Sequence, residues 1–368
     1  MHFSMDFLFL IKKIPMKKHY ILISFIAMIA ITNCGTKETS QLKIRPVVDT
    51  VGFARFNWQM DSIMSRLKYD SSSDQQWKAA ISPHDDYSYV GDMYPKVLSG
   101  IKAKTVILFG VAHKAKNYNL ENKIIFDSFD AWKAPYGNIL VSEIRDQIIT
   151  GLPDSLYLVH DEMQSVEHSL EALIPFLQFK NRNIEIIPVL IPYMTYDKMQ
   201  QISESLSSVV FEIMKEKNLQ WGQDLAILIS TDAVHYGDKD WGGKNYASYG
   251  TDSLGLINAR NHEMEIITNC LINEITSEKI QRFINYTVQE TDYKEYKWTW
   301  CGRYAVPFGL LVAQNLDNLN NGNGLNGTFI GYSTSIDHSV LKVNDLKMGV
   351  TAPANNHHWV GYAAVGYK

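Results

Sequence analysis

Apolar runs that end in metal-capable side chains are the feature of this chain that most constrains its fold. The runs are short and rich in Ile, Leu and Val, as buried strands are, and the side chains at their boundaries are His84, His113, Asp232, His235 and Cys301. In an open α/β sheet, ligands bind outside the carboxyl ends of the strands. We therefore expect these residues to form one convergent site rather than scattered surface positions.

The apolar runs alternate with stretches that have the periodicity of helices, which predicts an α/β fold. Strands are expected at 105–112, 123–128, 185–192, 225–231, 328–333 and 359–366. Helices are expected within 51–72 and at 162–179, 196–217, 256–274, 277–290 and 303–316. Buried strands separated by amphipathic helices indicate a sheet that is covered on both faces. No low-complexity linker divides residues 76–368, so they are predicted to form a single large domain.

The N-terminal segment has the pattern of a secretory signal. Two lysines follow Met16, which is a more natural start than Met1, and the apolar stretch 21–31 leads to Cys34. This order predicts a signal peptide over residues 1–33. Cys34 resembles the lipobox cysteine of bacterial lipoproteins, which is lipidated and becomes the mature N-terminus. Residues 34–75 would then hold the lipidated cysteine, a tether and an N-terminal segment. The alternative is an uncleaved anchor helix.

Both alternatives place the body of the protein outside the cytoplasm. We expect a membrane-anchored bacterial lipoprotein, at the periplasmic face or in the outer membrane, whose lipid anchor makes the membrane a partner. The formal net charge of −4 offers no basic patch, so nucleic acid is not an expected partner. Cys270 lies on the apolar stripe of a predicted helix, as a buried small hydrophobe does. A disulfide between Cys270 and Cys301 is the alternative, and it would block a metal role for Cys301.

Several of the candidate residues also have a purely structural interpretation. A lone histidine near a strand end, such as His84 or His113, is more often a hydrogen-bonded structural residue than a ligand. Asp232 could cap a helix, which would leave His235 as an incidental surface residue. Glu167 and His168 open a predicted helix, where Glu167 favours the helix dipole. Their functional interpretation is a carboxylate that orients a ligand histidine, or a general acid or base.

Cys301 is predicted to open the last long helix, whose amide ends would stabilise its thiolate. Arg303 could supply further positive charge there or bind an anionic substrate. Two imidazoles, one thiolate and optional carboxylates suit Fe(II), Cu or Zn, and suit Mg or Ca poorly. The sequence has no His-Glu-x-x-His helix, no Cys-x-x-Cys pair and no Gly-x-Ser-x-Gly elbow. The familiar zinc-protease, structural-zinc and serine-hydrolase motifs are therefore absent.

Seven ordered motifs together resemble one known family. They are Pro83-His84 with Tyr87-x-Tyr89-x-Gly91, Gly110-Val-Ala-His113, Glu167-His168-Ser169-Leu170-Glu171 with Pro175-Phe-Leu177, Ser230-Thr-Asp232-x-x-His235-Tyr-Gly237, Cys301-Gly302-Arg303, Tyr332-Ser-Thr-Ser335 and Val360-Gly-Tyr-Ala-Ala-Val365. The set is similar to the Memo family, also called AmmeMemoRadiSam system protein B. The resemblance runs over residues 80–366.

The resemblance implies both a fold and a metal site. The fold would be a three-layer α/β/α sandwich around a mixed, largely buried sheet, as in class III extradiol ring-cleaving dioxygenases. The metal ligands would be His84, His113 and Cys301, with iron or copper as the ion and zinc as a further candidate. Asp232 and His235 would line the same cavity.

The resemblance also frames the remaining roles. His235 would act as general acid or base, Asp232 would orient it, and Glu167 with His168 would stand behind the ligands. Asp86, Tyr87 and Arg303 are expected to contact the substrate. This chain has Asp85-Asp86 where the family usually has small residues, which adds two carboxylates beside the site. They could bind metal themselves or reject anionic substrates.

Three functions fit these expectations. The first is a metal-dependent oxidoreductase, similar to extradiol dioxygenases, that acts on an unknown small molecule or peptide. The second is a metal-binding protein without turnover, which buffers copper or iron at the cell envelope. The third is a peptide- or protein-binding module on an inactive dioxygenase-like scaffold. Metal binding is favoured over any named reaction, because the side chains specify an ion better than a substrate.

Overall fold

The computed structural model describes residues 41–68, 74–337 and 340–368, and Leu42–Lys368 form one compact unit. Its helices are α1 (Asn57–Leu67), α2 (Tyr87–Val90), α3 (Met93–Leu98), α4 (Ile144–Gly151), α5 (Asp161–Ser165), α6 (Ile174–Lys180), α7 (Tyr196–Lys217), α8 (Ser253–Ile266), α9 (Ser277–Thr287) and α10 (Ala305–Leu319). Its strands are β1 (Ile44–Arg45), β2 (Ala79–Ser82), β3 (Thr105–Val111), β4 (Ile124–Phe126), β5 (Ala131–Ala134), β6 (Gly137–Val141), β7 (Tyr157–Val159), β8 (Glu185–Ile191), β9 (Leu225–Ser230), β10 (His235–Gly237), β11 (Asn273–Glu274), β12 (Asn326–Thr334) and β13 (His358–Tyr367).

These strands form one mixed sheet in the described part of the chain. Its order is β1-β5-β6-β8-β3-β9-β2-β13-β12-β11, and β4, β7 and β10 pair beside this path. The central strands β8, β3, β9 and β2 are parallel to one another. Strands β13, β12 and β11 continue the sheet in antiparallel pairs on one side. The predicted mixed sheet is confirmed.

Helices cover both faces of the sheet because successive strand residues point to opposite sides. On β9, Ile227 and Ile229 pack into one apolar cluster, whereas Leu228 packs into the other. The first cluster contains residues of α4, α7, α8, α9 and α10. The second contains residues of α1, α2, α3, α5 and α6. This arrangement is the three-layer α/β/α sandwich that the sequence predicted.

The parallel order of the central strands decides where the polar side chains meet. Strands β3, β9 and β2 are direct neighbours, so their carboxyl ends lie at one edge of the sheet. His84 follows β2, His113 follows β3 and Asp232 follows β9, each by two residues. The fold therefore brings together three residues that are up to 148 positions apart in the chain.

One predicted helix is broken into separate pieces. The stretch 162–179 was expected to be one helix, but it contains α5, a 3₁₀ turn at Glu171–Leu173 and α6. Residues 166–170 between them are not α-helical, and this segment carries Glu167 to the backbone and ring of His113. The residues that the apolar spacing identified are nevertheless buried, namely Leu170, Leu173, Ile174 and Leu177.

Other expectations differ at element ends. Cys301 does not open a helix, because residues 301–304 form a turn and α10 begins at Ala305. The predicted helix 256–274 ends as α8 followed by a π-turn at Ile267–Leu271. The hairpin of β5 and β6 and the short strands β7 and β10 were not predicted.

The N-terminal predictions concern residues that the structure does not describe. The signal peptide and the lipidation of Cys34 therefore stay predictions. Within the described residues, no helix has the length and apolar character needed to cross a membrane.

Close packing of α10 on the sheet provides a test of the fold. A Cβ atom on Gly309 would lie 2.5 Å from Ile229 Cγ1 and 3.2 Å from Phe109 Cδ2, so a side chain there must displace these buried side chains or move the helix away from the strand. We expect Gly309→Val to lower the free energy of unfolding by about 2 kcal/mol, as overpacking of cores does. Urea unfolding followed by circular dichroism measures the change.

Gly331 on β12 is the matched control. The nearest atom to its built Cβ, Met93 Cε, is 3.8 Å away, and β-branched residues suit strands. Gly331→Val should change stability by less than about 1 kcal/mol. Equal stability of the two variants would contradict the close approach of α10 to β9.

Candidate metal centre

The donor atoms of three predicted residues converge at the sheet edge. The ligand atoms of His84, His113 and Cys301 all lie within 4.8 Å of one another. His84 Nε2 is 3.5 Å from Cys301 Sγ, and the two imidazole rings meet edge to face with centroids 5.3 Å apart. Separations of this size leave room for one cation between the donors, because Zn–S and Zn–N bonds are about 2.3 and 2.0 Å long.

Hydrogen bonds fix the ring of His84 so that Nε2 is free to bind an ion. The Ser230 hydroxyl donates its single proton to the carbonyl of Ser169, at 2.6 Å. Its oxygen must therefore accept from His84 Nδ1–H, at 2.8 Å. With the proton on Nδ1, the lone pair of a neutral ring is on Nε2. Burial, followed by the nearby imidazole of His113, lowers the pKa of His84 well below its usual value.

Glu167 does for His113 what Ser230 does for His84. Its carboxylate accepts from the backbone N–H of His113 at 2.8 Å and from the ring Nδ1–H at 2.9 Å. Burial favours the neutral ring, but the Glu167 carboxylate and the Cys301 sulfur together raise the pKa of His113 to about 10. Burial alone would raise the pKa of Glu167, but His113 lowers it to about 2. These two hydrogen bonds are the geometry expected of a carboxylate that orients a ligand histidine, the role predicted for Glu167.

Cys301 is held by backbone donors in the turn before α10. The N–H of Asp232 donates to its sulfur at 3.1 Å, and the N–H of Gly302 donates to the Thr231 hydroxyl at 3.0 Å. Burial raises the pKa of the Cys301 thiol. A bound cation reverses that preference, because a coordinating thiol is deprotonated outright. The expected stabilisation by a helix start is wrong, since α10 begins four residues later.

The alternative of a disulfide is also wrong. Cys270 and Cys301 are both free and buried. Burial raises the pKa of Cys270 to about 12, as expected for an inert thiol in the core.

Asp232 joins the cluster from the end of β9. Its Oδ1 accepts from the His84 N–H at 2.9 Å, and its Oδ2 lies 3.5 Å from His84 Nε2. Burial raises the pKa of Asp232 well above its usual value. The residue does not cap a helix, because the chain enters β10 at His235. That structural interpretation is therefore wrong.

His235 stands beside the cluster with a fixed ring. Its Nδ1–H donates to the Thr299 carbonyl at 3.2 Å, so Nε2 carries the lone pair of the neutral ring. Trp241 packs against it with ring centroids 5.4 Å apart. Burial lowers the pKa of His235 to about 4. The imidazole is therefore neutral near pH 7.

His168 extends the donor set towards solvent. Its ring stacks on His113 with centroids 4.9 Å apart and meets the edge of His84 at 5.7 Å. Together with Glu167 and His113 it forms a second group of metal-capable atoms. The side chains of His113 and His168 are 28% and 42% exposed, which makes this the open side of the centre.

Two of the predicted substrate residues are used inside the fold. Tyr87 is fully buried, and its hydroxyl donates to the Ala172 carbonyl at 2.6 Å. Asp86 is also buried and accepts from the N–H and the hydroxyl of Thr351. Their placement does not support substrate contact. Arg303, the third such residue, lines a separate cavity with Tyr193 and Tyr296.

Sequence reasoning missed a buried carboxylate behind the site. Glu263 Oε1 accepts from the indoles of Trp298 and Trp300 at 2.6 and 2.7 Å, and Oε2 accepts from Val234 N–H at 3.1 Å. Glu263 therefore ties the segment that carries Asp232 and His235 to the segment that carries Cys301. No local motif marks it. Ser230, by contrast, could have been found from the sequence, because it belongs to the Ser-Thr-Asp motif.

Comparison with known protein families identifies the family of this chain. The sequence model of the family described as Memo-like protein matches residues 54–346. The chain belongs to this family. The sequence prediction of a Memo protein is confirmed, and the match contains all three converging donors.

Curated relatives cover part of the Memo-like chain. A MEMO1 family protein of Aquifex aeolicus is 32% identical over 163 residues, which are 43% of this chain and 54% of that protein. MEMO1 family proteins of Archaeoglobus fulgidus and Methanosarcina mazei are 25% and 28% identical over 166 residues each, 45% and 44% of this chain and 58% and 56% of those proteins. The aligned part spans a little over half the length of these relatives.

Glu263 generates a pH-dependent prediction. Burial raises its pKa to about 7, above 4.5 in an unfolded chain. Below pH 4.5 both states are protonated, and between pH 4.5 and 7 only the unfolded state loses the proton. The contribution of Glu263 to the free energy of unfolding should therefore fall by about 3 kcal/mol across this range and stay constant above it. We expect Glu263→Gln to reduce the slope between pH 4.5 and 7 by this contribution in urea unfolding.

The exposed Glu216 on α7 provides the control. Glu216→Gln should retain the slope of the unmodified chain between pH 4.5 and 7. An unchanged slope in Glu263→Gln would show that other groups set the pH dependence.

Proposed function

We propose that this Memo-family chain binds one Fe(II) or Cu ion through His84, His113 and Cys301, with Zn as a further candidate. We also propose that it uses the ion in redox chemistry similar to that of dioxygenases. The observation that carries the proposal is that two imidazoles with fixed Nδ1 protons present their Nε2 atoms beside one cysteine sulfur. Imidazole and thiolate ligands favour these transition metals over Mg or Ca.

The open side of the cluster supports catalysis over purely structural binding. Structural metal sites are closed by protein ligands, whereas catalytic sites keep one position for water or substrate. The partly exposed rings of His113 and His168 border such a position here. A small molecule can therefore approach the three donors from solvent.

The chain's own residues supply proton transfer and orientation. A bound iron or copper ion supplies Lewis acidity and electron exchange. His235 is neutral near pH 7 and can take a proton at Nε2, because Nδ1–H is held by Thr299. Glu167 and Ser230 hold the two ligand rings in one orientation, which limits the reorganisation needed when an ion binds.

A metal-binding protein without turnover is the second candidate. Asp232 Oδ2 lies 3.5 Å from His84 Nε2 and could complete four-coordination by protein atoms alone. A closed site of this kind suits storage or buffering of an ion. The two candidates differ in whether a position on the ion remains open to an added ligand.

Metal analysis tests the site directly. Protein purified from its own compartment should contain about one equivalent of iron or copper, and His84→Ala and Cys301→Ser should each weaken binding more than about a hundredfold. Glu167→Gln should weaken it by about 10- to 100-fold, because only the orientation of His113 is lost. Inductively coupled plasma mass spectrometry and competition with a chelator measure these changes.

Cys270→Ala provides the matched control, because Cys270 is the other free, buried cysteine of the described residues. It should bind metal as the unmodified chain does. Metal-dependent oxygen uptake with catechol would support turnover. Bound metal that supports no oxygen uptake and binds no nitric oxide would favour the storage function. Full metal binding by both His84→Ala and Cys301→Ser would exclude this site.

We further propose that Cys34 carries the lipid that anchors the chain at the cell envelope. The support is the order of basic residues, apolar stretch and cysteine at the N-terminus. Expressed in a Gram-negative host with an alkyne-labelled fatty acid, the chain should be labelled and shortened, and Cys34→Ala should be unlabelled. Cys270→Ala should keep its label. An unlabelled, full-length chain would favour the uncleaved anchor.

A further inference from the structure

We propose that a cavity lined by Arg303 binds the carboxylate of a planar small molecule through that residue. The cavity, called the Arg303 pocket here, measures about 360 Å³ and is lined by Arg303, Tyr193, Tyr296, Lys116, Lys244 and Lys294, among others. This size lies within the range of small-molecule sites. Its use as the substrate subsite of the metal centre rests on the function proposed above.

The first argument is that Arg303 is a buried charge without a counter-ion. The side chain is 3% exposed, and its Nη2 donates to the Lys294 carbonyl at 2.9 Å. Its buried Nε has no acceptor. No carboxylate among the described residues forms an ion pair with it. Buried charges are normally paired, so a guanidinium that lines a cavity favours an anionic occupant.

The second argument is the charge of the remaining lining. Lys294 pairs with Glu121 at 2.7 Å, and Lys244 pairs with Glu295 at 3.1 Å, so these rim lysines are already neutralised. Over the whole lining, four cationic residues (Lys116, Lys244, Lys294 and Arg303) face three acidic ones (Glu121, Asp292 and Glu295), an excess of one positive charge. This excess matches a carboxylate. A phosphate dianion would leave negative charge beside the three acids.

The third argument is the shape and position of the pocket. The guanidinium carbon of Arg303 lies 3.5 Å from the ring centroid of Tyr296 and 5.5 Å from that of Tyr193, so flat aromatic surfaces flank the charged group. Arg303 is in the turn that carries Cys301, and Lys116 is three residues after His113. The same two segments therefore hold metal donors and pocket walls. This shared placement is the reason to consider the pocket together with the metal donors.

The competing explanation is that Arg303 only clamps tyrosine rings together. Titration with 4-fluorobenzoate and with its neutral analogue 4-fluorobenzamide, followed by ¹⁹F NMR on the full chain, separates the two. We expect saturable binding of the carboxylate with at least about tenfold preference over the amide, as a hydrogen-bonded charge pair gives. Arg303→Met should abolish that preference, and Arg303→Lys should weaken carboxylate binding without abolishing it.

Arg182→Met is the matched control, since the exposed Arg182 also stacks on a tyrosine, with 3.4 Å between its guanidinium carbon and the Tyr136 centroid. It should leave 4-fluorobenzoate binding unchanged. Thermal unfolding verifies that each variant is folded. Equal binding of carboxylate and amide, or undiminished carboxylate binding by folded Arg303→Met, would overturn the proposal. Displacement of 4-fluorobenzoate by inorganic phosphate at a concentration below that of the carboxylate would also overturn it.

Cys301→Ser separates this proposal from the metal function. The variant should lose the metal and still bind 4-fluorobenzoate with the Arg303-dependent preference. If metal analysis finds no ion but carboxylate binding persists, the proposed function fails and the pocket remains. If the ion is present but carboxylate binding is absent, the pocket proposal alone is wrong.

Discussion

Two hydrogen bonds to ring nitrogens determine what this edge of the sheet can bind. Ser230 and Glu167 accept from the Nδ1 atoms of His84 and His113, which leaves the Nε2 atoms of both rings as the nitrogens that are available on the side of Cys301. Without these acceptors, either ring could rotate or carry its proton on the nitrogen that faces the ion. The donor atoms would then still be close together, but the rings would not be held in the orientation that cation binding requires. The hydrogen-bonded neighbours are therefore as much a part of the candidate centre as the proposed ligands.

The sequence predicted that these side chains converge because the ends of buried strands can be recognised from the sequence. Val- and Ile-rich runs identify buried parallel strands, and parallel strands place their carboxyl ends at one edge. His84, His113 and Asp232 follow three such runs, and the structure brings them together beside neighbouring strands. Cys301 was expected at the same site from its place at the boundary of an apolar run, but in the structure it lies in a turn and not at the end of a strand. Its assignment as a metal ligand came from the family resemblance.

The parts that the sequence did not predict depend on side-chain direction and on contacts between distant residues. Tyr87 follows a metal-capable motif, yet its ring lies against Tyr94 and Phe176 in the core. Glu263 lies in an ordinary amphipathic helix, and only the folded chain shows three donors around its carboxylate. The segment after α5 leaves the helix although its apolar spacing continues, and in this segment the Glu167 carboxylate contacts His113. Periodicity describes burial, and it does not describe these contacts.

The two carboxylates that follow His84 also make contacts that the sequence did not predict. Asp85 and Asp86 were expected to add negative charge to the site, where they would attract cations and repel anions. Instead, Asp85 accepts the hydroxyl of Tyr362 at 2.5 Å, and Asp86 accepts two donors of Thr351. Both carboxylates thus join the His84 segment to the C-terminal part of the chain. Arg303, two residues after Cys301, has no carboxylate partner among the described residues, so an anion is the ligand that its guanidinium favours.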